Sequence, residues 1–259
     1  MLFRVFYNKA FFLVLNNKGF SNKHSILAHF QKVRSTQWSK IQLAGEWLGE
    51  SLAKDGWLYA FGTGHSHLLA EEVFYRAGGL ARATPILDPR LMLHEAAIQA
   101  TYNERETGCA SQILDRYPVH AGDVLIVASN SGRNAVPIEM AMAGRERGLK
   151  VIAITNLNHS LAWPARHPSG KRLADAADLV LDTCGIEGDA ATRLAAFPYP
   201  VGSPSTSTGA LLMNLIIVAG IESAVRLGYQ PEVFISSNTD GDDHNDRLLQ
   251  KYRPLNPHL

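Results

Sequence analysis

The sequence predicts an α/β protein whose doubly wound parallel sheet is covered by helices on both faces. Three observations carry this. Short apolar runs such as Val124-Leu-Ile-Val-Ala128 lack polar alternation, as expected of strands buried on both faces. Segments with apolar residues at helical spacing lie between them. The connections are short and rich in glycine, serine and asparagine, which suits strands and helices alternating along one sheet.

The elements follow in order. Over 25–54 the apolar positions Ile26, Phe30, Val33, Ile41, Ala44, Trp47, Leu48 and Leu52 recur at helical spacing, and Asp55-Gly56 stops the helix. The stretch 57–61 reads as a strand ending at Gly62-Thr63-Gly64-His65-Ser66-His67, with a second helix over 66–77. Another short strand over 83–87 is closed by Asp88-Pro89, and the region 91–117 is expected to be helical. The strand 123–128 runs into Ser129-Asn130-Ser131-Gly132-Arg133-Asn134, then a helix to about 147 and a strand over 151–155. A further buried strand spans 179–182, and the Gly- and Pro-rich 186–204 is expected to be irregular. A long apolar helix over 206–227 precedes a polar tail, 236–259, with a short helix at 246–252. No internal repeat stands out.

Composition narrows the function. With 259 residues, 46% hydrophobic and 19% charged, the chain is globular and long enough for one substantial core. Twenty-five Lys and Arg against 24 Asp and Glu leave a net charge of +1. That balance argues against a nucleic-acid or membrane partner. Cys109 and Cys184 lack CxxC spacing, which argues against a disulfide scaffold or zinc module and suits a reducing, cytoplasmic setting. Residues 1–20 carry Arg4, Lys9 and Lys18 and no acid. Their apolar run, 10–15, is short for a signal peptide and far below the ~20 residues of a membrane span. The expected organisation is an extension over 1–22, with no assigned role, before one domain over 23–259.

The two glycine-containing turns share one chemistry. Glycine lets backbone N–H groups approach an anion, and Ser and Thr hydroxyls donate further bonds. Each following helix aims its positive N-terminal end at the same place, so a phosphate can be held without lysine. The plainer alternative is that Ser66 and Asn134 cap helices and the glycines only make tight turns. A dinucleotide site is a further alternative, because Gly62-x-Gly64 follows a strand and Asp88 ends the next. His67 occupies the third glycine position, and no nucleotide or other cofactor is expected.

These residues also carry a resemblance. The Gly62 to His67 turn, the strand and loop from Val124 to Asn134, Val151 to Asn156 and Ser203 to Gly209 resemble the sugar isomerase (SIS) domain. The run Gly62-Thr-Gly-His-Ser-His-Leu-Leu-Ala-Glu-Glu-Val-Phe-Tyr-Arg-Ala-Gly-Gly79 resembles more closely the UPF0309 group of SIS-domain proteins. The resemblance implies a five-stranded, flavodoxin-like parallel sheet that binds phosphorylated sugars, as a homodimer or homotetramer with sites near subunit interfaces. Carried over by position, Gly64 and Ser66, then Ser129, Asn130, Ser131, Gly132 and Asn134, would hold the phosphate. Thr206 and Ser207, beside Ser205, resemble another ligand-facing segment or form a plain N-cap cluster. Glucosamine-6-phosphate synthase usually has Glu-Thr where this loop has Arg133-Asn134.

Aldose–ketose isomerisation needs a base to move a proton between adjacent carbons and an acid to open the ring. Glu71 and Glu72 resemble the Ala-Glu-Glu stretch of sedoheptulose-7-phosphate isomerases, with Glu72 the candidate. Asn103-Glu104-Arg105-Glu106-Thr107-Gly108 resembles a segment of N-acetylmuramic acid 6-phosphate etherases, lyases that share Ser131-Gly132-Arg133. Glu104 is therefore the favoured acid or base and Glu95 the second. His94 and His244 are the candidate acids, since histidine titrates near neutrality. His65-x-His67 with Glu71 matches no strong zinc pattern, and no metal is expected. Isomerisation leads as a function. An etherase-like lyase acting on an amino-sugar 6-phosphate, or a non-catalytic phosphosugar sensor or assembly factor, stands as the alternative.

Overall fold

The structure is a computed structural model and describes residues 26–259; the extension over 1–22 lies outside the described residues. Its centre is a five-stranded parallel sheet: β1 (Leu58–Gly62), β2 (Ala83–Ile86), β3 (Val124–Ala128), β4 (Lys150–Thr155) and β5 (Leu179–Asp182), in the order β2-β1-β3-β4-β5. Strand side chains alternate between faces, so each strand feeds two cores. Leu58, Ala60, Val124, Ile126, Ile152 and Ile154 join one core; Tyr59, Phe61, Leu125, Val127, Val151 and Ala153 join the other. Burial on both faces is why these runs read as uninterrupted apolar sequence.

The first face is covered by α1 (Ile26–Leu52), the short α2 (His67–Glu72) and α8 (Ser205–Arg226). Val33, Ile41, Ala44, Leu48 and Leu52 of α1 pack with Leu212, Met213, Ile216 and Ile217 of α8. By length and composition α8 is apolar enough to cross a membrane, but that apolar character serves the core here. The second face is covered by α4 (Ala110–Leu114), α5 (Ala135–Glu146), α7 (Leu173–Ala176) and α9 (Asp242–Tyr252).

Several elements differ from the sequence expectation. The helix expected over 66–77 is a 3₁₀ turn, Gly64–Ser66, and the six residues of α2. The region 91–117 is broken into a 3₁₀ turn capped by Asp88, α3 (Leu93–Asn103), an irregular stretch, and α4. In the break, Val136 donates its backbone N–H to the Glu104 carbonyl at 3.2 Å and Gly108 has φ +93°, so the chain turns where a helix would continue. Two short helices, α6 (Leu157–Ala162) and α7, occupy sequence read only as connection. The last helix starts four residues early, with Asp242 and Asp243 favourably placed in its first turn.

Candidate functional site

In a sheet ordered 2-1-3-4-5 the connections leave β1 and β3 in opposite directions, and a crevice opens beyond their carboxyl ends. A cavity of about 340 Å³ lies there. Thr63 to Ser66 line it after β1, and Ser129, Asn130, Ser131 and Asn134 after β3. Ile154 and Thr183 lie at the ends of β4 and β5, and Ser205 and Thr206 at the start of α8. Among the described residues lining it, none is lysine or arginine.

The turn after β3 is shaped from within. Gly132 has φ +58°, and a Cβ on it would stand 2.8 Å from Thr155 Oγ1, so both the conformation and the close approach require glycine. Its N–H donates to Ser129 Oγ at 3.1 Å, which leaves that hydroxyl's own hydrogen to donate elsewhere. The Ser129 hydroxyl thus sets the turn as well as lining the cavity.

Glu104 crosses between the two turns. Thr63 Oγ1 donates to its Oε2 at 2.6 Å, and Asn134 Nδ2 donates to its Oε1 at 2.6 Å. Arg166 Nη1 in turn donates to Asn134 Oδ1 at 2.9 Å, fixing the direction of that amide. Burial pushes the Glu104 carboxyl above its ordinary range, and the Thr63 hydrogen bond with the charges of Arg105 and Arg166 only partly opposes this. A carboxyl so held is oriented, half-buried and able to exchange a proton nearer neutrality than a surface glutamate.

The SIS domain family profile matches residues 23–156, a span that includes both turns and Glu104. The chain is 44% identical over 220 residues to a UPF0309 protein of Listeria innocua serovar 6a, covering 85% of this chain and 89% of that one. The chain belongs to the UPF0309 family of SIS-domain proteins. A second UPF0309 protein, from Halalkalibacterium halodurans, is 42% identical over 230 residues, 88% of this chain and 92% of the relative. Among solved structures, a phosphoheptose isomerase from Francisella tularensis has a TM-score of 0.50 at 14% identity, covering 76% of this chain and 92% of that chain. That likeness is one of fold.

The UPF0309 chain brings Gly64, Ser66, Ser129, Asn130, Ser131, Asn134, Thr206 and Glu104 to one cavity. It places the other candidates elsewhere. Glu72 is paired with Arg76 and accepts from Asn214 Nδ2 at 2.8 Å, which makes it a surface ion-pair partner. Glu95 and His94 are exposed and 3.7 Å from each other, outside the lining. His244 sits on α9 and donates Nε2–H to the Val233 carbonyl at 2.9 Å, also away from the cavity. Ser207 turns its hydroxyl back to the Pro204 carbonyl at 2.9 Å, and Gly132 shapes the turn without lining the cavity. His67 is buried, with Nδ1–H donating to the Gly64 carbonyl and Nε2 3.8 Å from Glu71. That arrangement pins the first turn.

Sequence reasoning passed over Asp189 and Thr183, which also line the cavity in the UPF0309 structure. Both follow β5. The rule that ligands sit at strand carboxyl ends, applied to β5 as it was to β1 and β3, points to them.

Proposed function

We propose that the cavity binds a phosphorylated sugar and interconverts its aldose and ketose forms, with Glu104 moving the proton. The observation supporting this is the position of a half-buried, doubly hydrogen-bonded carboxyl between two glycine–serine turns. The phosphate end falls to backbone N–H groups and hydroxyls: Ser66, Ser129, Ser131 and Thr206, with the positive end of α8 behind them. A lining without lysine or arginine leaves those dipoles to bind the charge.

Glu104 as carboxylate takes the proton from the carbon beside the sugar carbonyl, and the electron pair left behind forms the enediol double bond. The same group returns the proton to the neighbouring carbon. Thr63 and Asn134 hold its two oxygens throughout, so no reorientation is needed between the halves. The raised proton affinity of Glu104 suits a group that must both take and give a proton.

The test is a thermal-shift panel of sugar phosphates beside unphosphorylated sugars and inorganic phosphate. A ligand at 100 times its Kd stabilises the fold by about 2.7 kcal/mol. The expected result is a shift with particular sugar phosphates that Ser131→Ala reduces. Glu104→Gln should keep the shift and lower aldose–ketose interconversion by about 10²–10⁴-fold. No shift anywhere in the panel overturns the binding reading, and undiminished interconversion in Glu104→Gln overturns the catalytic one.

A further inference from the structure

Asp189 carries three features that its position in a surface connection does not require. It lines the cavity, while its Oδ2 accepts a hydrogen bond from Ser205 Oγ. Its Oδ1 is buried with no hydrogen-bond partner among the described residues. Its backbone adopts φ +62°, in the left-handed region, which aspartate enters more readily than most side-chain-bearing residues but still uncommonly. A role in tying the 185–204 connection to α8 would need only the Ser205 bond. It would leave a buried carboxyl oxygen without a partner unexplained.

The two acids stand on different sides of the crevice. Glu104 is fastened to the turns after β1 and β3. Asp189 follows β5, at the far edge of the sheet, and is fastened to the start of α8. Ser129, Asn130 and Ser131 after β3 and Thr183 after β5 line the same cavity. A sugar phosphate bound over β3 is therefore flanked by one carboxyl from each side. Burial pushes the Asp189 carboxyl upward; the Ser205 hydrogen bonds and the nearby His159 and His29 oppose this only in part.

Resting on the phosphosugar reading above, we infer that Asp189 is the second acid–base carboxyl of the cavity, serving the sugar oxygens while Glu104 serves the carbons. The steps balance without any further reactant. Starting from the aldose, Glu104 takes the proton from C2, and the C2–H electron pair forms the C1–C2 double bond. The carbonyl π pair moves to O1, which takes the proton of the Asp189 carboxylic acid. The intermediate is a neutral enediol between protonated Glu104 and ionised Asp189. Glu104 then returns its proton to C1, the O2–H pair becomes the C2 carbonyl bond, and the O2 proton passes to Asp189. Both carboxyls finish as they began, so one turnover resets the site. Oδ1 is enclosed and without a partner among the described residues, so serving the sugar oxygen takes a turn of the carboxyl about its Cβ–Cγ bond toward the cavity it lines.

The experiment compares wild type, Asp189→Asn and Asp189→Gly on the sugar phosphate that gives the largest thermal shift. Two readouts are taken: deuterium incorporation from D₂O at C2 by NMR, and kcat and KM for interconversion. Glycine suits φ +62° better than aspartate, which offsets the Ser205 bond that Asp189→Gly loses with the carboxyl. The expected result is that both variants keep the ligand shift and KM within about threefold and lose about 10²–10⁴-fold in kcat. Turnover retained by Asp189→Gly or Asp189→Asn overturns the inference, as does a loss confined to KM, which would make Asp189 a binding residue only. A wild type that turns over while the Asp189 variants do so equally well overturns this inference alone. A wild type that shows no shift with any sugar phosphate overturns the phosphosugar reading and this inference with it. Binding by wild type without interconversion or deuterium exchange overturns the inference and leaves phosphosugar binding standing.

Discussion

Glu104 gains orientation from Thr63 and Asn134 and loses hydration, and the loss is the larger influence on its ionisation. A carboxyl whose folded pKa lies above its unfolded value favours folding most while it stays protonated. That contribution fades as the pH rises through the folded pKa. Glu104→Gln keeps the shape and one good acceptor without the ionisation. Its melting temperature should therefore match wild type near pH 4 and exceed it by a growing margin toward pH 8. Differential scanning fluorimetry across that range checks this, and a margin that shrinks with rising pH would refute it. A stabilising change that abolishes turnover is the expected signature of a residue kept for chemistry.

At the scale of elements, α1 and α8 approach closely because small residues face each other. A Cβ on Gly45 would come within 2.4 Å of Ala219 Cβ. Gly45→Val should force the helices apart and destabilise by about 1–3 kcal/mol, measured as a lowered urea midpoint with an unchanged slope. These long elements were legible in the sequence, since continuous strands and the apolar stripe from Val33 to Leu52 leave strong periodic signals. The break at Glu104 was not, because Leu93 to Asn103 and Ala110 to Leu114 both favour helix, and a single glycine, Gly108, with tertiary contacts such as that of Val136 to Glu104, separates them. Helices as short as α6 and α7 fall below the length at which a period can be read. The two turns of the site were legible from glycine and serine at strand ends. Glu104 was legible through resemblance, whereas Asp189, beside Glu187 in an irregular stretch, is marked only by its place beyond the end of β5. His94 and His244 were favoured for how histidine titrates, a property that carries no information about position.

For the molecule as a whole, acid sensitivity should concentrate at the β2 edge. Burial would raise the Asp88 carboxyl, but hydrogen bonds from Arg90 and Arg116 outweigh it and hold the group at about 2. Its contribution is present above the ordinary aspartate range and lost as the pH falls through about 2. Asp88→Asn should cost on the order of 1–2 kcal/mol at pH 7, screening by solvent at the exposed arginines included, and nearly nothing at pH 2. Urea titrations at the two pH values check this, and equal differences at both would exclude it. The pairing of α1 with α8 has a consequence in time. Roughly 150 residues separate the two helices, so at ~5–20 residues per second a ribosome needs on the order of ten to thirty seconds to follow the first with the second. Through that interval the apolar stripe of the nascent α1 has no native partner helix, and it is the surface a chaperone would first have to shelter.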